Sequence, residues 1–521
     1  MLLAVAYSAC SVVAAFVVIQ LFSRSRLPNV PIVGAKPGEW FPLLRARWRN
    51  TFQPRAAAEA AYNEHREQAC IFPMAGAPDF VQLPLKEAQW LIDRPDSEVS
   101  VKDSIVDSLQ LDHTLMDPRL VHQPAHTSVI SGPLTRETAN LIPQLLEEIR
   151  DAIDSLWGTD RDQPRAVCVF TTMSRVIGQA TNRAFVGLPL CRDPALLETA
   201  MAFSMDIPIG ATLLQFFPRM LRPLVAPLIT LPNRLHTRRA TRLLRPEIQR
   251  RLAAYAGPKT GPNDFLQWSI DQAQSLQDPY FGKVETLAGR ILLNNFTSIH
   301  TSSFAITHAL LDLAASTTTP TTSNYTAELR REITAALHAH DSTYSKRSLA
   351  AMPKLDSTLR ESQRLNSFVI TATNRMVAAP AGVTTPSGLH VPRGTMLCAP
   401  AYGVLHDAEI YPEPEEFRAF RFAEKREAIG DEQGQGYISR ARQAWTTTSP
   451  EYPAFGHGRH ACLGRFFAST LLKLILAYVL ENYEIGGEVD REGKGTQREE
   501  NFWFGGNRTP PMKAEIVVRR M

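Results

Sequence analysis

Cysteine is scarce in this sequence, and no two cysteines stand in a C-x-x-C pair. The 521-residue chain has six of them, Cys10, Cys70, Cys168, Cys191, Cys398 and Cys462. Without a C-x-x-C pair, zinc ribbons and thioredoxin-like redox motifs are excluded. Six scattered cysteines in so long a chain also do not form the dense framework of a disulfide-stapled secreted domain. A reduced domain that faces the cytosol is therefore indicated.

Clusters of basic residues are missing as well. The chain has 56 Lys and Arg against 52 Asp and Glu, a net charge of +4, with the two signs interspersed. A nucleic-acid surface would show clustered Lys and Arg, so we expect no nucleic-acid partner. Internal repeats and an obvious linker are also lacking. We therefore expect one large domain, although the length alone would suggest about three.

The N-terminus holds the longest apolar run. Residues 2–22 carry no charge, and as a helix they would span roughly 30 Å, the core of one bilayer. Arg24 and Arg26 follow at once, and this bias places the rest of the chain on the cytosolic side. The alternative is a cleaved signal peptide, but a charged start is lacking and the run is about twice the usual length. The sequence predicts a single-pass transmembrane anchor over residues 1–23.

Prolines dominate the stretch that follows the predicted anchor. Pro28, Pro31, Pro37 and Pro42 fall within residues 24–45. Because proline fixes the backbone and removes a hydrogen-bond donor, this stretch is interpreted as a stiff hinge that orients a domain over residues 46–521 against the membrane.

The domain is expected to be mainly α with a small β region. The clearest helix runs over residues 283–315, where apolar residues recur at helical spacing and no proline or glycine interrupts after Gly289. It would be about 50 Å long, enough to cross a domain. Between residues 368 and 398 the pattern changes to short β-like runs broken by prolines and glycines.

One glycine-rich stretch carries the chemistry, F-G-H-G-R-H-A-C-L-G-R over residues 455–465. The glycines allow the backbone to approach a flat macrocycle, and the N-terminus of the helix that follows would stabilise a Cys462 thiolate. A thiolate ligand pushes electron density onto iron, and Phe455 would cover the sulfur. The alternatives are a structural cysteine or a zinc cluster of His457, His460 and Cys462, and both leave the glycine spacing unexplained.

This stretch resembles the haem-binding loop of the cytochrome P-450 family, F-x-x-G-x-R-x-C-x-G. Four positions match, Phe455, Gly458, Cys462 and Gly464. His460 replaces the arginine, a form similar to that of fungal members, and it could donate a hydrogen bond to a haem propionate. The resemblance implies haem b, with Cys462 as the thiolate ligand of the iron and with Phe455, Gly456, His460 and Gly464 beside the cofactor.

The family's second signature is E-x-x-R, which occurs six times in this chain. Most instances are ordinary pairs on one helix face. Glu361 and Arg364 are selected because they lie about a hundred residues before Cys462 and are followed by the β-like segment. Arg421, in a Phe-rich stretch, is expected to complete a buried structural triad. Arg375 matches the arginine that pairs with a haem propionate in the family. The alternative interpretation is that Arg375 is an exposed arginine on a strand, without a role at the haem.

The third signature lies on the long helix, in T-S-I-H-T over residues 297–301. The family pattern is small-Gly-x-acid-Thr. Thr301 therefore keeps the hydroxyl that assists oxygen activation, Ser298 replaces the glycine, and His300 replaces the acid as a candidate proton relay. The alternative is a helix whose Ser and Thr hydroxyls bond to its own backbone. The family's early W-x-x-x-R, which meets the other propionate, is missing, and His126 and Ile130 occupy that region.

The resemblance implies the cytochrome P-450 fold behind an N-terminal transmembrane helix, in the endoplasmic reticulum membrane. It implies a monooxygenase that uses O2 and electrons from an NADPH-dependent reductase. The Ile-His-Thr-Ser form looks like fungal enzymes that oxidise apolar terpenoid, meroterpenoid or polyketide-like compounds in secondary metabolism. Substrate-facing segments are expected near residues 104–117, 203–217, 294–301, 368–373 and 502–506. The alternatives are a reductase-independent haem-thiolate isomerase or dehydratase, and a non-catalytic membrane-bound haem sensor.

Overall fold

The computed structural model describes residues 27–258, 261–316, 324–429, 435–489, 498–504 and 506–521. The anchor predicted over residues 1–23 lies outside these ranges. Within them, no helix is both long and apolar enough to cross a membrane.

Part of the predicted hinge, residues 24–45, makes hydrogen bonds with the rest of the domain. Its backbone joins that of the first strand through a bridge between Ile32 and Ile71, and the amide of Asn50 donates to the Val33 carbonyl at 3.0 Å. The first helix of the described residues begins at Pro42, inside the predicted hinge. The last part of the hinge is therefore helical and packed, because proline fits the first turn of a helix.

Short elements fill the first part of the chain. The helices are α1 (Pro42–Phe52), α2 (Pro54–Asn63), α3 (Ala88–Asp93), α4 (Val101–Ser108), α5 (Leu111–Thr114), α6 (Arg119–His122) and α7 (His126–Val129). The strands are β1 (Cys70–Phe72), β2 (Phe80–Gln82) and β3 (Val99–Ser100). One π-helical turn over Ile130–Leu134 links α7 to the next helix, and such turns are frequent at functional sites.

Long helices make up the middle of the domain. They are α8 (Thr135–Trp157), α9 (Val169–Val186), α10 (Pro194–Gln215), α11 (Arg222–Ile229), α12 (Leu231–Ala253), α13 (Phe265–Ser275), α14 (Val284–Ser316) and α15 (Tyr325–His338), with β4 (Arg165–Cys168) between α8 and α9. Helix α14 confirms the long helix predicted over residues 283–315. It is buried along most of its length and packs against α9, α10 and α12.

The last part of the chain mixes helices with strands. The helices are α16 (Lys346–Ala350), α17 (Pro353–Leu365), α18 (Tyr402–Leu405), α19 (Arg421–Ala428), α20 (Gln435–Ala441) and α21 (Arg465–Asn482). The strands are β5 (Thr371–Val377), β6 (Val383–Thr384), β7 (His390–Val391), β8 (Met396–Pro400), β9 (Tyr483–Val489), β10 (Phe502–Phe504), β11 (Asn507–Thr509) and β12 (Glu515–Arg520). The predicted β-like segment is thus β5 to β8.

In the part of the chain that the structure describes, four small sheets flank the helical body. The largest has the order β1-β2-β8-β5-β3, and a three-stranded sheet has the order β4-β12-β9. One large apolar core joins α8, α9, α14 and α21, and two smaller clusters lie around the five-stranded sheet and the N-terminal helices. The fold is mainly helical with small sheets, as the sequence predicts.

Candidate active site

The loop before α21 is held by its own backbone. The Cys462 N–H donates to the Phe455 carbonyl at 2.8 Å, and a short 3-10 turn spans Gly458–His460. Gly456 and Gly458 have φ values of 69° and 74°, in the left-handed region where glycine is favoured. A Cβ at Gly458 would also collide with Ile92 of α3. The loop therefore needs glycine at this position for both its backbone conformation and its packing.

The Cys462 side chain lies deep in the protein, yet it is exposed to an internal cavity. Burial raises the pKa of the Cys462 thiol, whereas the backbone N–H groups of Gly464 and Arg465 and the Arg465 guanidinium lower it. These donors come from the first turn of α21, where unpaired N–H groups stabilise negative charge. A metal ion that replaces the thiol proton removes the burial penalty and keeps the donors, so the environment suits a metal-bound thiolate.

The cavity has a volume of about 290 Å³ and lies between the cysteine loop and α14. Cys462, Phe455 and Gly464 line one wall, and Thr301 lies on the helix that forms another. Most of the remaining lining is apolar and comes from Ile130, Leu134, Phe185, Phe304, Phe368, Val369, Trp445, Phe467, Leu471 and Leu472. A larger cleft of about 550 Å³ lies elsewhere, between α1 and the segment after α10, and none of these site residues lines it.

Arg375 provides a second test, independent of the Cys462 sulfur, of whether the residues present suit a haem. Its side chain is only 4% exposed, and its guanidinium donates to the Asn374 carbonyl at 3.0 Å. No ion pair with Arg375 forms within the described ranges, although Asp96 exerts a favourable charge effect. Burial lowers the pKa of Arg375 to about 10. A buried cation without a carboxylate suits a propionate. Arg375 is not among the residues that line the cavity, so it adds to the fit through its chemistry, whereas Cys462 adds to it through its position.

His460 and Ile130 stand at the two positions where the family has arginines, and His126 stands at the tryptophan position of the early W-x-x-x-R. The Nε2 atom of His460 lies 2.8 Å from Oδ1 of Asp96, so in this structure its partner is a carboxylate. His126 sits on α7, and burial, aided by the Arg290 charge, lowers its pKa to about 4. Ile130 lines the cavity. Neither His126 nor Ile130 therefore brings a cation to the cavity.

Glu361, Arg364 and Arg421 are brought together in the core. The Glu361 carboxylate accepts from Nε and Nη2 of Arg364 at 2.8 and 2.9 Å and from Nε of Arg421 at 2.9 Å. All three side chains are nearly or fully buried. Arg364 and Arg421 also donate to backbone carbonyls of Leu405 and Pro412. This triad joins α17 to the start of α19 and to the loops around them.

The Thr301 hydroxyl faces the cavity but is engaged with its own helix. Its Oγ1 donates to the Thr297 carbonyl at 2.8 Å, and Ser298 donates to the Asn294 carbonyl at 2.7 Å. Thr301 therefore shows both features on which the two interpretations of the sequence depend: its hydroxyl bonds to the helix backbone, and the residue lines the cavity. With its proton used in this way, Thr301 offers lone pairs to the cavity, and it donates only after rotation of the hydroxyl.

His300 points away from that cavity. Its Nε2 lies 3.3 Å from the Met201 carbonyl on α10, and its ring packs beside the adjoining rings of Phe170 and Phe304 at centroid distances of 6.3 and 6.1 Å. Burial lowers its pKa. Adjacent helix residues point about 100° apart, and His300 is not among the residues that line the cavity with Thr301.

A polar network at the far end of the cavity was not anticipated from the sequence. His308 lines the cavity, and its Nδ1 lies 3.0 Å from Nη2 of Arg498. Arg498 pairs with Asp312 at 2.7 Å, and Asn366 donates to Asp312 at 2.8 Å. Burial raises the pKa of Asp312 and lowers that of His308 well below its usual value. The lowered pKa favours the neutral ring of His308. Because the Arg498 guanidinium can only donate, Nδ1 of His308 would accept from it and Nε2 would carry the proton.

The spacing of polar residues along α14 could have indicated part of this network. His308 and Asp312 follow Thr301 by seven and eleven residues, which places all three on one helix face. Of the predicted substrate-facing segments, residues of 294–301 and 368–373 line the cavity. Residues 107 and 215–217 line the larger cleft instead.

The chain was compared with known proteins. The family model described as Cytochrome P450 matches residues 127–509. Cytochrome P450 monooxygenase gloP of Glarea lozoyensis is 31% identical over 98% of this chain and 94% of its own length. Cytochrome P450 monooxygenase tenB of Beauveria bassiana is 30% identical, over 95% of this chain and 92% of its own.

A solved structure also matches this fold. Retinoic acid bound cyanobacterial CYP120A1 aligns with a TM-score of 0.66 and 16% identity, and the alignment covers 95% of this chain and 100% of that one. The mainly helical architecture is thus shared with this enzyme. The chain belongs to the cytochrome P450 family of monooxygenases, whose cofactor is a haem bound to the protein through a cysteine thiolate.

Proposed function

We propose that this chain oxidises an apolar natural product of terpenoid, meroterpenoid or polyketide-like structure, with O2 and with electrons delivered by an NADPH-dependent reductase. Cys462 would bind the haem iron, and Arg375 would pair with a propionate. The observation that carries the proposal is that Cys462 and Thr301 line the same cavity. The haem supplies the chemistry that activates O2 and inserts one oxygen atom into a C–H bond.

The cavity lining supports an apolar substrate. Apolar side chains, chiefly phenylalanine and leucine with alanine, isoleucine, valine and tryptophan, form most of its walls, and polar groups are concentrated on α14. Such a lining desolvates hydrocarbon surface and leaves orientation to a few hydrogen bonds. Thr301 would order a water in the cavity through its lone pairs, while His300, held against α10, would position α14 rather than relay a proton.

A basic groove beside α21 supports a reductase partner. It has a volume of about 490 Å³ and is lined by four cationic side chains, Arg136, Lys346, Arg426 and Lys473. Lys473 pairs with Asp356, and Phe466, in the first turn of α21, contributes an apolar surface. Because α21 begins three residues after Cys462, an acidic electron donor that docks in this groove would approach the haem from the thiolate side.

An exposed apolar face supports a membrane location. Met220, Leu224 and Leu228 are 90%, 76% and 78% exposed on α11 and just before it. Trp40 and Phe52, near the ends of α1, are 79% and 77% exposed. The Trp48 ring stacks on Phe216 at 6.2 Å, which joins the two groups. A patch of this kind marks a membrane or protein contact. We call the residues 220, 224 and 228 the α11 apolar face.

The anchor proposal predicts how the chain fractionates. The full chain should sediment with microsomes and resist carbonate extraction, because a helix over residues 1–23 would span the bilayer. Deletion of these residues should release much of the protein, and the α11 apolar face should retain the rest. Immunoblots of the carbonate pellet and supernatant measure this. Full-length protein in the carbonate supernatant would rule out a spanning helix.

Substitutions on α14 test the monooxygenase proposal. The substrate is first identified by comparing metabolites of strains with and without the gene, and turnover is then measured with a reductase and NADPH. We expect Thr301→Ala to keep NADPH consumption but divert much of it to peroxide, so that product per NADPH falls severalfold. His300→Ala should change this ratio less, because His300 does not line the cavity.

Ser303→Ala is the matched control for this experiment. Ser303 lies on the same helix and donates to the Ile299 carbonyl at 2.7 Å, but it does not line the cavity. It should leave the product-to-NADPH ratio unchanged. An unchanged ratio in Thr301→Ala would reduce Thr301 to a packing residue. Product formed without NADPH and reductase would favour an isomerase or dehydratase, and no product with any candidate substrate would favour a haem sensor.

A further inference from the structure

Helix α12 carries an exposed stripe that changes character along its length. Leu231, Leu235, Arg238 and Arg242 are all exposed, and their spacing of four, three and four residues places them on one face of the helix. The first two positions are apolar, and Leu231 follows Leu228, the last residue of the α11 apolar face, by three residues in sequence. The next two are cationic, and the exposed Arg239 lies beside them.

These three arginines have no carboxylate partner within the described ranges. Other arginines of α12 do, since Arg245 pairs with Glu285 and Arg250 with Glu247, both at 2.7 Å. Arg238 and Arg242 are four residues apart, a spacing at which like charges destabilise a helix. An external anion would relieve this repulsion. We call Arg238, Arg239 and Arg242 the α12 arginine cluster.

The distance between the apolar and cationic parts matches the layers of a bilayer. Along the helix axis, the backbones of Arg238 and Arg242 lie about 4.5 and 10.5 Å beyond that of Leu235. A helix inclined to the membrane turns part of this distance into a difference in depth. The polar layer on each side of a bilayer is roughly 5–8 Å thick. With Leu235 at the edge of the hydrocarbon and α12 inclined to the membrane, the α12 arginine cluster would lie within reach of the phosphate groups.

We infer that the α12 arginine cluster binds the headgroups of acidic phospholipids. The inference rests on the proposed membrane location of the α11 apolar face. Planar guanidinium groups bind phosphate through two hydrogen bonds, and each cation near an acidic membrane surface strengthens attachment about fivefold. The chain would thus select acidic lipids around α12, in addition to any insertion of its N-terminal segment.

The test uses the full-length haem-loaded protein in nanodiscs of phosphatidylcholine, with or without a minor share of phosphatidylserine. Arginine modification by phenylglyoxal is followed at each residue by mass spectrometry. We expect the α12 arginine cluster to react severalfold more slowly when phosphatidylserine is present. Arg347 is the internal control, because it is exposed and its helix, α16, packs on α15 and α21. Its rate should not change.

A lipid with a photoreactive acyl chain separates this inference from the membrane proposal. One outcome is that residues 220–231 crosslink to the lipid in both bilayers, while phosphatidylserine does not change the modification rates of the α12 arginine cluster. This outcome would overturn the inference but would still support the apolar membrane contact. Absence of these crosslinks would overturn both. Equal slowing by inorganic phosphate in phosphatidylcholine alone would also overturn the inference, because it would show a general anion site.

Substitution of the α12 arginine cluster gives a second test, based on the lipids that remain bound to the protein. The triple substitution Arg238→Gln, Arg239→Gln and Arg242→Gln changes only exposed side chains, so we expect folding and haem content to be retained. Lipids that stay with the protein after mild detergent extraction should be enriched severalfold in phosphatidylserine for the wild type and for Arg347→Gln, but not for the triple variant. Equal enrichment in all three proteins would contradict the inference.

Discussion

Replacement of Cys462 by serine should abolish the absorption band that is specific for the thiolate in the reduced, CO-treated protein. Serine is close to cysteine in shape, but its alcohol is a poor ligand for iron and would remain protonated in this buried position. The expected effect is complete, because no other cysteine of the described residues lines the cavity. The measurement is a difference spectrum of the reduced protein with and without CO.

The serine variant should still fold, since the loop is held by its backbone and not by the sulfur. The Cys462 N–H to Phe455 carbonyl bond at 2.8 Å remains in the variant, and the side chain faces the cavity rather than the packed core. Cys168→Ser is the control, because Cys168 is half-buried and bonded to Thr171 and Met512 outside the cavity. It should keep the band. A normal band in Cys462→Ser would end the assignment of Cys462 as the ligand.

Removal of the Glu361 carboxylate should nearly eliminate haem-loaded protein. Glu361→Ala leaves Arg364 and Arg421 buried and charged without a counterion, a loss that costs roughly 3–5 kcal/mol. A domain of marginal stability loses most of its folded population at such a cost. The expected results are a low ratio of haem to protein and a clearly lower thermal unfolding midpoint, measured by absorbance and by calorimetry.

Glu415→Ala is the matched control for this prediction. Glu415 also begins an E-x-x-R sequence, but it is exposed and its ion pair with Arg55 is long, at 3.5 Å. Surface changes of this kind alter stability by about 0.5 kcal/mol or less. Normal haem loading in Glu361→Ala would show that the triad is not the structural element we describe. A loss in Glu415→Ala equal to that in Glu361→Ala would show that any carboxylate in such a pattern has the same effect.

Features that depend on local sequence could be predicted. The prediction of a helix over residues 283–315 agrees with α14 at Val284–Ser316. Apolar residues repeat there at helical spacing over a long stretch without proline, and a strand or a loop does not produce such a pattern. Glu361 could be selected among six E-x-x-R sequences because its distance from Cys462 and the β-like segment after it were visible in the sequence. The glycine spacing of the cysteine loop was visible in the same way.

Features that depend on distant partners could not be predicted. The orientation of His300 is decided by the Met201 carbonyl on α10, 99 residues away in sequence. His308 is fixed by Arg498, which is 190 residues away. His460 meets Asp96 across 364 residues. In each case the residue type was known from the sequence, but the neighbouring chain segment that sets the hydrogen bond was not.

The order β4-β12-β9 has a consequence for biogenesis. The central strand, Glu515–Arg520, is the last of the described elements in chain order, and it pairs with β4, some 350 residues earlier, and with β9. While the chain emerges from the ribosome, β4 therefore waits unpaired until every other element of the domain has been made. Pairing of such high contact order is slow, and the open edge invites aggregation in the meantime. Protection of the nascent chain by chaperones should thus matter most before β12 is translated, and loss of that strand would leave both neighbours without a partner.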